Sequence, residues 1–378
     1  MRGNKFLKIL DFTLGVPILF LFGLIRHFLP EKEIVPGAIK KILVIKLSAL
    51  GDTVLLLPVL RTLKENIPTA KIYFLATGIN RKVLENCPDV DQLLELKLKD
   101  FLTNPFYLFS FIGGLRRERF DIAFDFDQWL RLSAILSFLS GAKLMVGFRT
   151  PGQLKHLAFD RVIFHRRNRH EVDCFLDLVA FLNLKKIERI PRIEILEDWR
   201  KKSVQFLKSI GIEENEDFVI FHPEVPRHAF PRQWPEENFI QLAKELIKKH
   251  PLKILITGTE RSKEIFQHRK MIDEERIKSA VSLEWDLLLA IIKRAKLLVC
   301  GNTGIMHLAA AIGTPVVALH GPTDPVKWGP LGDKNIVVKS KLPCSPCLYL
   351  GFEYGCQTNR CMQEIKTEDV LAAVETFL

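Results

Sequence analysis

Asp52 is the first residue whose type and position together indicate chemistry. It follows Gly51 at the end of the loop 48–52, directly after an apolar run at 41–47 that reads as a buried strand. A carboxylate at the carboxyl end of such a strand can accept a proton from an incoming hydroxyl group if it reaches a ligand cleft. An aspartate that only caps the helix predicted at 53–66 fits the same spacing equally well.

Asn302, Thr303 and Gly304 mark a second candidate site. They lie between an apolar run at 296–300 and a predicted helix at 303–312. The start of that helix offers backbone N–H groups and the positive end of a helix dipole, which together favour phosphate. His307 lies one turn further along. A simple N-cap formed by Asn302 or Thr303 is equally consistent with this stretch alone.

Arg232 lies in the loop 223–234, which follows a strand predicted at 217–222. Parallel strands place their following loops at one edge of the sheet, so Arg232 should approach the same edge as Asn302. Its guanidinium group is suited to neutralising a diphosphate. A surface loop with incidental charge is the alternative.

The elements that must position these residues alternate along the chain. Strands are predicted at 41–47, 70–76, 120–125, 142–147, 217–222, 252–257, 296–300 and 315–319. Helical patterns lie between them, for example at 105–117, 128–139, 235–247 and 284–295. This alternation predicts an α/β fold with parallel, doubly wound sheets. We expect domains at 40–192 and 193–365 and a closing helix at 366–378.

Composition and net charge limit the kinds of partner that this protein is expected to bind. The chain has 378 residues, 48% of them hydrophobic, and a net charge of +11. That length predicts two domains, and that charge predicts an acidic partner such as a phosphorylated substrate or an anionic membrane. No nucleic-acid-binding motif occurs, so nucleic acid is not an expected partner. The loop before Asp52 lacks a dinucleotide fingerprint, and the chain lacks a P-loop sequence.

The N-terminal residues differ from the rest. Residues 12–25 carry no charge and are flanked by Lys5, Lys8 and Arg26. This run is shorter than the roughly 20 residues that cross a bilayer, which favours a segment lying in the membrane interface. A signal peptide and a core helix are the alternatives. We therefore expect residues 1–39 to form a membrane-associating segment followed by a linker at 31–38.

Four cysteines near the C-terminus have regular spacing. Cys344, Cys347, Cys356 and Cys361 form the pattern C-x2-C-x8-C-x4-C. Such spacing could hold zinc. A disulfide-stapled loop and a cluster of simple thiols remain open alternatives.

Several motifs together resemble glycosyltransferase family 9, the ADP-heptose:lipopolysaccharide heptosyltransferases. They occur in the family's order across residues 41 to about 365. The matching stretches are IKLSALGD at 45–52, RQWP at 232–235, TGTE at 257–260, NTGIMHLA at 302–309, GPTDP at 321–325 and WGP at 328–330. The resemblance implies a GT-B fold, in which two Rossmann-like domains face a cleft.

The resemblance also implies an inverting, metal-independent sugar transfer without a cofactor. Asp52 matches the family's general base, which would deprotonate the acceptor hydroxyl. Lys46, where the family usually has arginine, and Ser48 match the acceptor side in the first domain.

The donor side is implied in the second domain. Arg232 matches the family's phosphate-binding lysine, and Glu260 matches a position associated with the nucleoside. Thr303, Gly304 and His307 match the donor motif. Asn302 stands where the family usually has aspartate, a residue that meets the donor sugar.

The implied partners are a nucleotide-diphosphate sugar, with ADP as the expected nucleotide, and an anionic, lipid-linked saccharide such as a lipopolysaccharide core. The expected location is cytoplasmic, on the inner face of the cytoplasmic membrane. Two alternatives remain: a catalytically inactive nucleotide-sugar-binding protein at the membrane, and a nucleotide-sugar epimerase with the same two-domain plan. An epimerase would need acid–base groups on both sides of the sugar.

Overall fold

The protein forms two compact units, Met1–Arg189 and Ile190–Leu378. The computed structural model describes residues 4–30, 34–268, 275–350, 356 and 358–378. Part of the expected linker, residues 31–33, lies outside the described residues, and Pro36–Ala38 form one 3-10 turn. Each unit contains one six-stranded sheet in which every pair of neighbouring strands is parallel.

The first sheet has the order β3-β2-β1-β4-β5-β6. Its strands are β1 Lys41–Ile45, β2 Lys71–Ala76, β3 Gln92–Glu95, β4 Ile122–Asp125, β5 Leu144–Arg149 and β6 Arg161–Phe164. Strands β1, β2 and β4 are almost entirely buried, as expected of a parallel sheet covered on both faces. The chain reverses its direction of travel across the sheet between β1 and β4, which is the doubly wound pattern.

Helices of the first unit cover the two faces of this sheet. They are α1 Lys5–Thr13, α2 Gly15–His27, α3 Leu50–Asn66, α4 Gly78–Leu84, α5 Leu98–Thr103, α6 Pro105–Arg117, α7 Arg131–Leu139 and α8 Glu171–Val179. Helix α3 begins three residues before the predicted start, so Asp52 lies in its first turn. Helix α7 begins three residues after the predicted start at 128, because residues 126–130 form a buried loop after β4.

One face of the N-terminal helices packs against the first unit. The ring of Phe22 is buried and stacks on Phe138 of α7, with 3.9 Å between ring centroids. The carboxylate of Asp11 accepts a hydrogen bond from the backbone N–H of Leu132 (3.0 Å) and pairs with the guanidinium group of Arg131 (3.3 Å). Asp11 therefore caps the start of α7, where a negative charge is favoured.

The other face of these helices is apolar and exposed. Its exposed side chains are Phe6, Ile9, Phe12, Leu14, Phe20, Leu21, Leu24, Ile25, Phe28 and Leu29. The helical stretch Lys5–His27 has 23 residues and is long and apolar enough to cross a membrane by length and composition alone. The expectation that this segment is too short to span is thus corrected. The buried contacts of Asp11 and Phe22 nevertheless hold it against the first unit.

The second sheet repeats the first plan with the order β12-β11-β10-β7-β8-β9. Its strands are β7 Phe218–His222, β8 Lys253–Gly258, β9 Ile277–Val281, β10 Leu297–Gly301, β11 Val316–His320 and β12 Asn335–Lys339. The reversal here lies between β7 and β10. The predicted fold class, α/β with doubly wound parallel sheets, is confirmed.

Helices of the second unit surround this sheet. They are α9 Glu197–Ser209, α10 Glu236–Lys249, α11 Glu260–His268, α12 Trp285–Arg294, α13 Gly304–Ile312, α14 Pro325–Trp328, α15 Arg360–Gln363 and α16 Thr367–Glu375. The predicted closing helix corresponds to α16, which packs on α10, β11 and β12. Helix α13 ends at Gly313, whose φ of 86° is the left-handed conformation that terminates helices.

Candidate active site

The carboxylate of Asp52 is buried at the carboxyl end of β1. Asp52 is the third residue of α3 and only 5% exposed, and its Oδ2 lies 3.2 Å from both Lys46 Nζ and Gln128 Nε2. The N-cap position of α3 belongs to Ala49, so Asp52 is not the capping residue. Ala49 has φ of 67°, a conformation that costs an L-residue about 1–3 kcal/mol and is concentrated at functional sites.

Lys46 and Ser48, the predicted acceptor contacts, are both held by Asp127 inside the first unit. The Nζ of Lys46 is 3.1 Å from Asp127 Oδ1, and the hydroxyl of Ser48 donates to the same oxygen at 2.7 Å. The backbone N–H of Leu47 donates to the other oxygen at 2.6 Å. Asp127 therefore fixes the loop that leads into α3, while acceptor contact by Lys46 and Ser48 stays a prediction.

Sequence reasoning missed Asp127 and its neighbour Gln128. The side-chain oxygen of Gln128 accepts from Lys46 at 2.9 Å, and its amide group donates to Asp52 and to Glu171. Both residues follow β4, the strand beside β1 at the reversal of the first sheet. The available signal was the stretch Phe-Asp-Phe-Asp-Gln at 124–128, in which polar residues end a buried strand.

A second buried lysine supports the same loop. Lys155 Nζ lies 2.9 Å from Asp125 Oδ2 and also donates to the backbone carbonyl of Asp127. Burial raises the pKa of Asp125 to about 6, although Lys155 acts in the opposite direction. Burial would also raise the pKa of Asp127, but the charges of Lys46 and Lys155 hold it below its ordinary value. Asp127 is therefore ionised at neutral pH, and Asp125 is also mostly ionised there but takes up a proton on mild acidification.

Glu171 extends the network at the start of α8. It accepts from Gln128 at 2.7 Å and lies 3.0 Å from His165 Nε2. Within the described part of the chain, His165, Glu171 and Cys174 are the group that brings three potential metal-ligand atoms within 4.8 Å of one another. Glu171 already accepts a hydrogen bond from Gln128. The grouping of these three residues is therefore also explained by the buried polar network, without a metal ion.

In the second unit, the side chain of Asn302 is oriented through both ends of its amide group, which donates through Nδ2 and accepts through Oδ1. Its Nδ2 donates to the carbonyl of Trp328 at 3.0 Å and lies 3.4 Å from His320 Nε2, while its Oδ1 is 3.4 Å from Arg232 Nη1. Burial lowers the pKa of His320 to about 4, so the ring is neutral at neutral pH and can accept from the amide. An aspartate could not donate to the Trp328 carbonyl, which gives a physical reason for the amide at this position.

Arg232 approaches the same loop from the neighbouring strand. It ends the 3-10 turn Arg227–Arg232 after β7, and its Nη1 donates to the carbonyl of Asn302 at 3.3 Å. A Cβ placed on Gly301 would lie only 3.0 Å from the carbonyl oxygen of Arg232, so the glycine permits this close approach. The predicted proximity of Arg232 and Asn302 is therefore observed.

The N-terminus of α13 has no side-chain cap. Thr303 occupies the N-cap position without making the capping bond, and its buried hydroxyl has no hydrogen-bond partner among the described residues. His307 is buried one turn into the helix. The alternative interpretation of Asn302 or Thr303 as a plain side-chain cap is thus not supported, and within the described part of the chain neither side chain caps the first N–H groups of α13.

Glu260 lies at the same sheet edge. It is exposed and begins α11, after Gly258 at the end of β8. Strands β8, β7 and β10 are neighbours in the sheet, so the segments that carry Glu260, Arg232 and Asn302 follow adjacent strands at one edge. Their common position is the place where doubly wound sheets bind ligands.

Both units therefore present polar groups where the strand order reverses, which is the arrangement of a two-unit α/β transferase of the GT-B type. The family described as glycosyltransferase family 9 (heptosyltransferase) matches residues 108–356. This match covers well over half of the chain, so the protein belongs to glycosyltransferase family 9 and is a glycosyltransferase. The family recognised from its motifs is confirmed.

The curated relatives agree with this family, and the solved structures agree with the fold. Lipopolysaccharide heptosyltransferase 3 of Escherichia coli is 25% identical over 344 residues, which cover 87% of this chain and 95% of that protein. A family 9 glycosyltransferase from Veillonella parvula superposes with a TM-score of 0.77 at 22% identity, covering 92% and 99% of the two chains. The ADP-heptose lipopolysaccharide heptosyltransferase II of Escherichia coli gives 0.69 at 21% identity, covering 89% and 98%.

Proposed function

We propose that this protein transfers a heptose or related sugar from a nucleotide diphosphate, with ADP as the expected nucleotide, to a lipopolysaccharide core or another lipid-linked saccharide. The proposed reaction is inverting and needs no metal. The observation that supports this proposal is the kind of chemical group found in each unit at the point where the strand order of its sheet reverses. A buried carboxylate stands in the first unit, and a guanidinium group stands beside an uncapped helix N-terminus in the second. The names of the relatives support heptose as the sugar.

The second unit is suited to the donor because the positively charged guanidinium group of Arg232 lies beside Asn302, directly before the start of α13. The N–H groups of α13 and the Arg232 guanidinium would stabilise the charge that develops on the departing diphosphate. Thr303 and His307 would add donors to the same oxygens. Glu260 would contact the nucleoside, and Asn302 would contact the sugar.

The first unit is suited to the acceptor. Asp52 would take the proton of the acceptor hydroxyl as that oxygen attacks the anomeric carbon from the face opposite the diphosphate. Lys46 and Gln128 hold the Asp52 carboxylate by two 3.2 Å contacts, so its geometry is set before substrate arrives. Lys46 and Ser48 shape the loop on which the acceptor would rest.

We further propose that the enzyme works at the inner face of the cytoplasmic membrane. The exposed apolar face of α1 and α2 would lie in the interface, close to a lipid-linked acceptor. Lys5 and Lys8 would add attraction to anionic lipid, at about 1 kcal/mol per well-placed cation. Because Asp11 and Phe22 tie these helices to the first unit, removing them would expose Phe138 and uncap α7, so point substitutions test the surface better than truncation.

Asp52→Asn should lower kcat for sugar transfer about 100- to 10,000-fold, the usual loss on removing a general base. Donor affinity should stay near the wild-type value, because Asp52 belongs to the first unit. Single-turnover transfer and donor calorimetry measure the two effects. Asp198→Asn, an exposed change in α9, serves as the matched control. Wild-type turnover in Asp52→Asn would remove Asp52 from the reaction.

Arg232→Ala should weaken binding of ADP by about 10- to 100-fold, the equivalent of one charge-assisted hydrogen bond, and should hardly affect adenosine. Calorimetry with both ligands separates a diphosphate contact from general damage to the site. Arg200→Ala, which removes an exposed guanidinium group from α9, should change neither affinity. Equal losses for ADP and adenosine would contradict the assigned role.

Phe20→Glu combined with Leu24→Glu should reduce co-sedimentation with anionic phospholipid vesicles while transfer to a soluble acceptor continues. The two side chains are 58% and 60% exposed, so the change should leave the folded core intact. Leu196→Glu, at an exposed leucine of the second unit, controls for added charge. If the double variant sediments like the wild type, the membrane contact lies elsewhere.

A further inference from the structure

The side-chain amide of Gln128 bridges two carboxylates inside the first unit. Its Nε2 donates to Asp52 Oδ2 at 3.2 Å and to Glu171 Oε1 at 2.7 Å, while its Oε1 accepts from Lys46 Nζ at 2.9 Å. An amide nitrogen carries two hydrogens, so one hydrogen serves each carboxylate. Gln128 is completely buried, and its amide group is therefore the link between Asp52 and Glu171.

The partners of Gln128 determine which way its amide group faces. An ammonium group can only donate a hydrogen bond, and an ionised carboxylate can only accept one. If the amide were reversed, its oxygen would face Asp52 and Glu171, its nitrogen would face Lys46, and all three hydrogen bonds would be lost. Lys46 and Glu171 thus act together to keep an amide hydrogen directed at Asp52.

Glu171 is itself held in a fixed orientation. It is the first residue of α8, and its two carboxylate oxygens lie 3.0 and 3.1 Å from His165 Nε2. The imidazole ring of His165 packs edge-on against the ring of Phe148, with 4.9 Å between ring centroids. The carboxylate of Glu171 is therefore fixed by Gln128 on one side and by His165 on the other.

Burial separates the role of Glu171 from that of Asp52. Glu171 and Gln128 are 0% exposed, whereas Asp52 is 5% exposed at the carboxyl end of β1. A side chain that is completely enclosed cannot contact a saccharide unless the surrounding structure opens. Any influence of Glu171 on sugar transfer should therefore be transmitted through Gln128.

We propose that Glu171, supported by His165, is a positioning residue for Asp52. It fixes the direction of the Gln128 amide, and that amide holds the Asp52 carboxylate in place for the acceptor hydroxyl. This inference rests on the proposed function, because the position of Asp52 matters for sugar transfer only if Asp52 is the base. A base that is held in place before substrate binds needs less reorganisation in the transition state.

Glu171→Met should lower kcat for sugar transfer about 10- to 100-fold, the equivalent of one hydrogen bond to a charged group. Donor affinity measured by calorimetry should not change, because the donor is expected in the second unit. Glu171→Gln keeps an oxygen that can accept from Gln128, so it should restore most of kcat. Asp173→Asn, which removes another acidic side chain from the first turn of α8, is the matched control and should behave like the wild type.

A double-mutant cycle separates positioning of Asp52 from general damage to the first unit. If Glu171 acts through Asp52, adding Glu171→Met to Asp52→Asn should cause almost no further loss of kcat in single-turnover transfer. General damage would instead lower kcat by the same factor in both backgrounds. Equal factors, or a Glu171→Met variant with wild-type kcat, would overturn the proposal.

Two further results complete the test. Circular dichroism checks that each variant is folded; if Glu171→Met unfolds, Gln128→Met removes the amide link and the same cycle is measured with Asp52→Asn. In the Gln128→Met background, Glu171→Gln should have no additional effect on kcat, and a further loss would contradict transmission through Gln128. Wild-type kcat in Asp52→Asn would instead show that the proposed base is wrong, which distinguishes failure of the proposed function from failure of this inference alone.

Discussion

The buried charge of Lys46 is the constraint on which the site in the first unit depends. Its ammonium group is completely excluded from solvent, and burying such an ion without partners costs several kcal/mol. Asp52, Asp127 and Gln128 surround it at 2.9–3.2 Å. Because these partners come from α3 and from the loop after β4, compensation of one charge fixes the relative positions of both segments.

This compensation has a chemical consequence for Asp52. A carboxylate that is already oriented by an ammonium group and an amide needs little reorganisation when a hydroxyl approaches, and such preorganisation is a large part of enzymatic catalysis. The second unit carries groups of the opposite charge at the corresponding point of its sheet. It gathers Arg232 and the uncapped start of α13, which suit a negative ligand. The same topology thus carries a buried carboxylate in one unit and a guanidinium group beside a helix N-terminus in the other, which is the basis of the roles proposed for them.

The sequence predicted the elements and the loops of the site better than it predicted the contacts. Asp52, Arg232 and Asn302 were found because each follows a buried apolar run, and loops after parallel strands share an edge. Asp127 also follows a buried run, but its contact with Lys46 could not be predicted in this way, since the two residues are 81 positions apart and meet only because β4 pairs with β1. Strand order is a tertiary property that local periodicity does not encode.

The contacts of the N-terminal helices could not be predicted from the sequence pattern either. Their apolar character was clear from the sequence, but the pattern of 12–25 gave no sign that Asp11 caps α7 or that Phe22 stacks on Phe138. These contacts turn an apparently separate segment into part of the first unit. Likewise, the missing side-chain cap of α13 is visible only in three dimensions, because Thr303 is a residue that usually provides one.

The most direct measurement is mass spectrometry of a heptose-deficient lipopolysaccharide core incubated with the protein and ADP-heptose, together with NMR of the product's anomeric centre. Our account predicts that the acceptor gains one heptose, that ADP is released in equal amount and that the anomeric configuration is inverted. An unchanged acceptor with intact bound donor would indicate a catalytically inactive binding protein. A retained configuration would contradict direct displacement assisted by Asp52, and a donor sugar returned with altered stereochemistry would point to an epimerase.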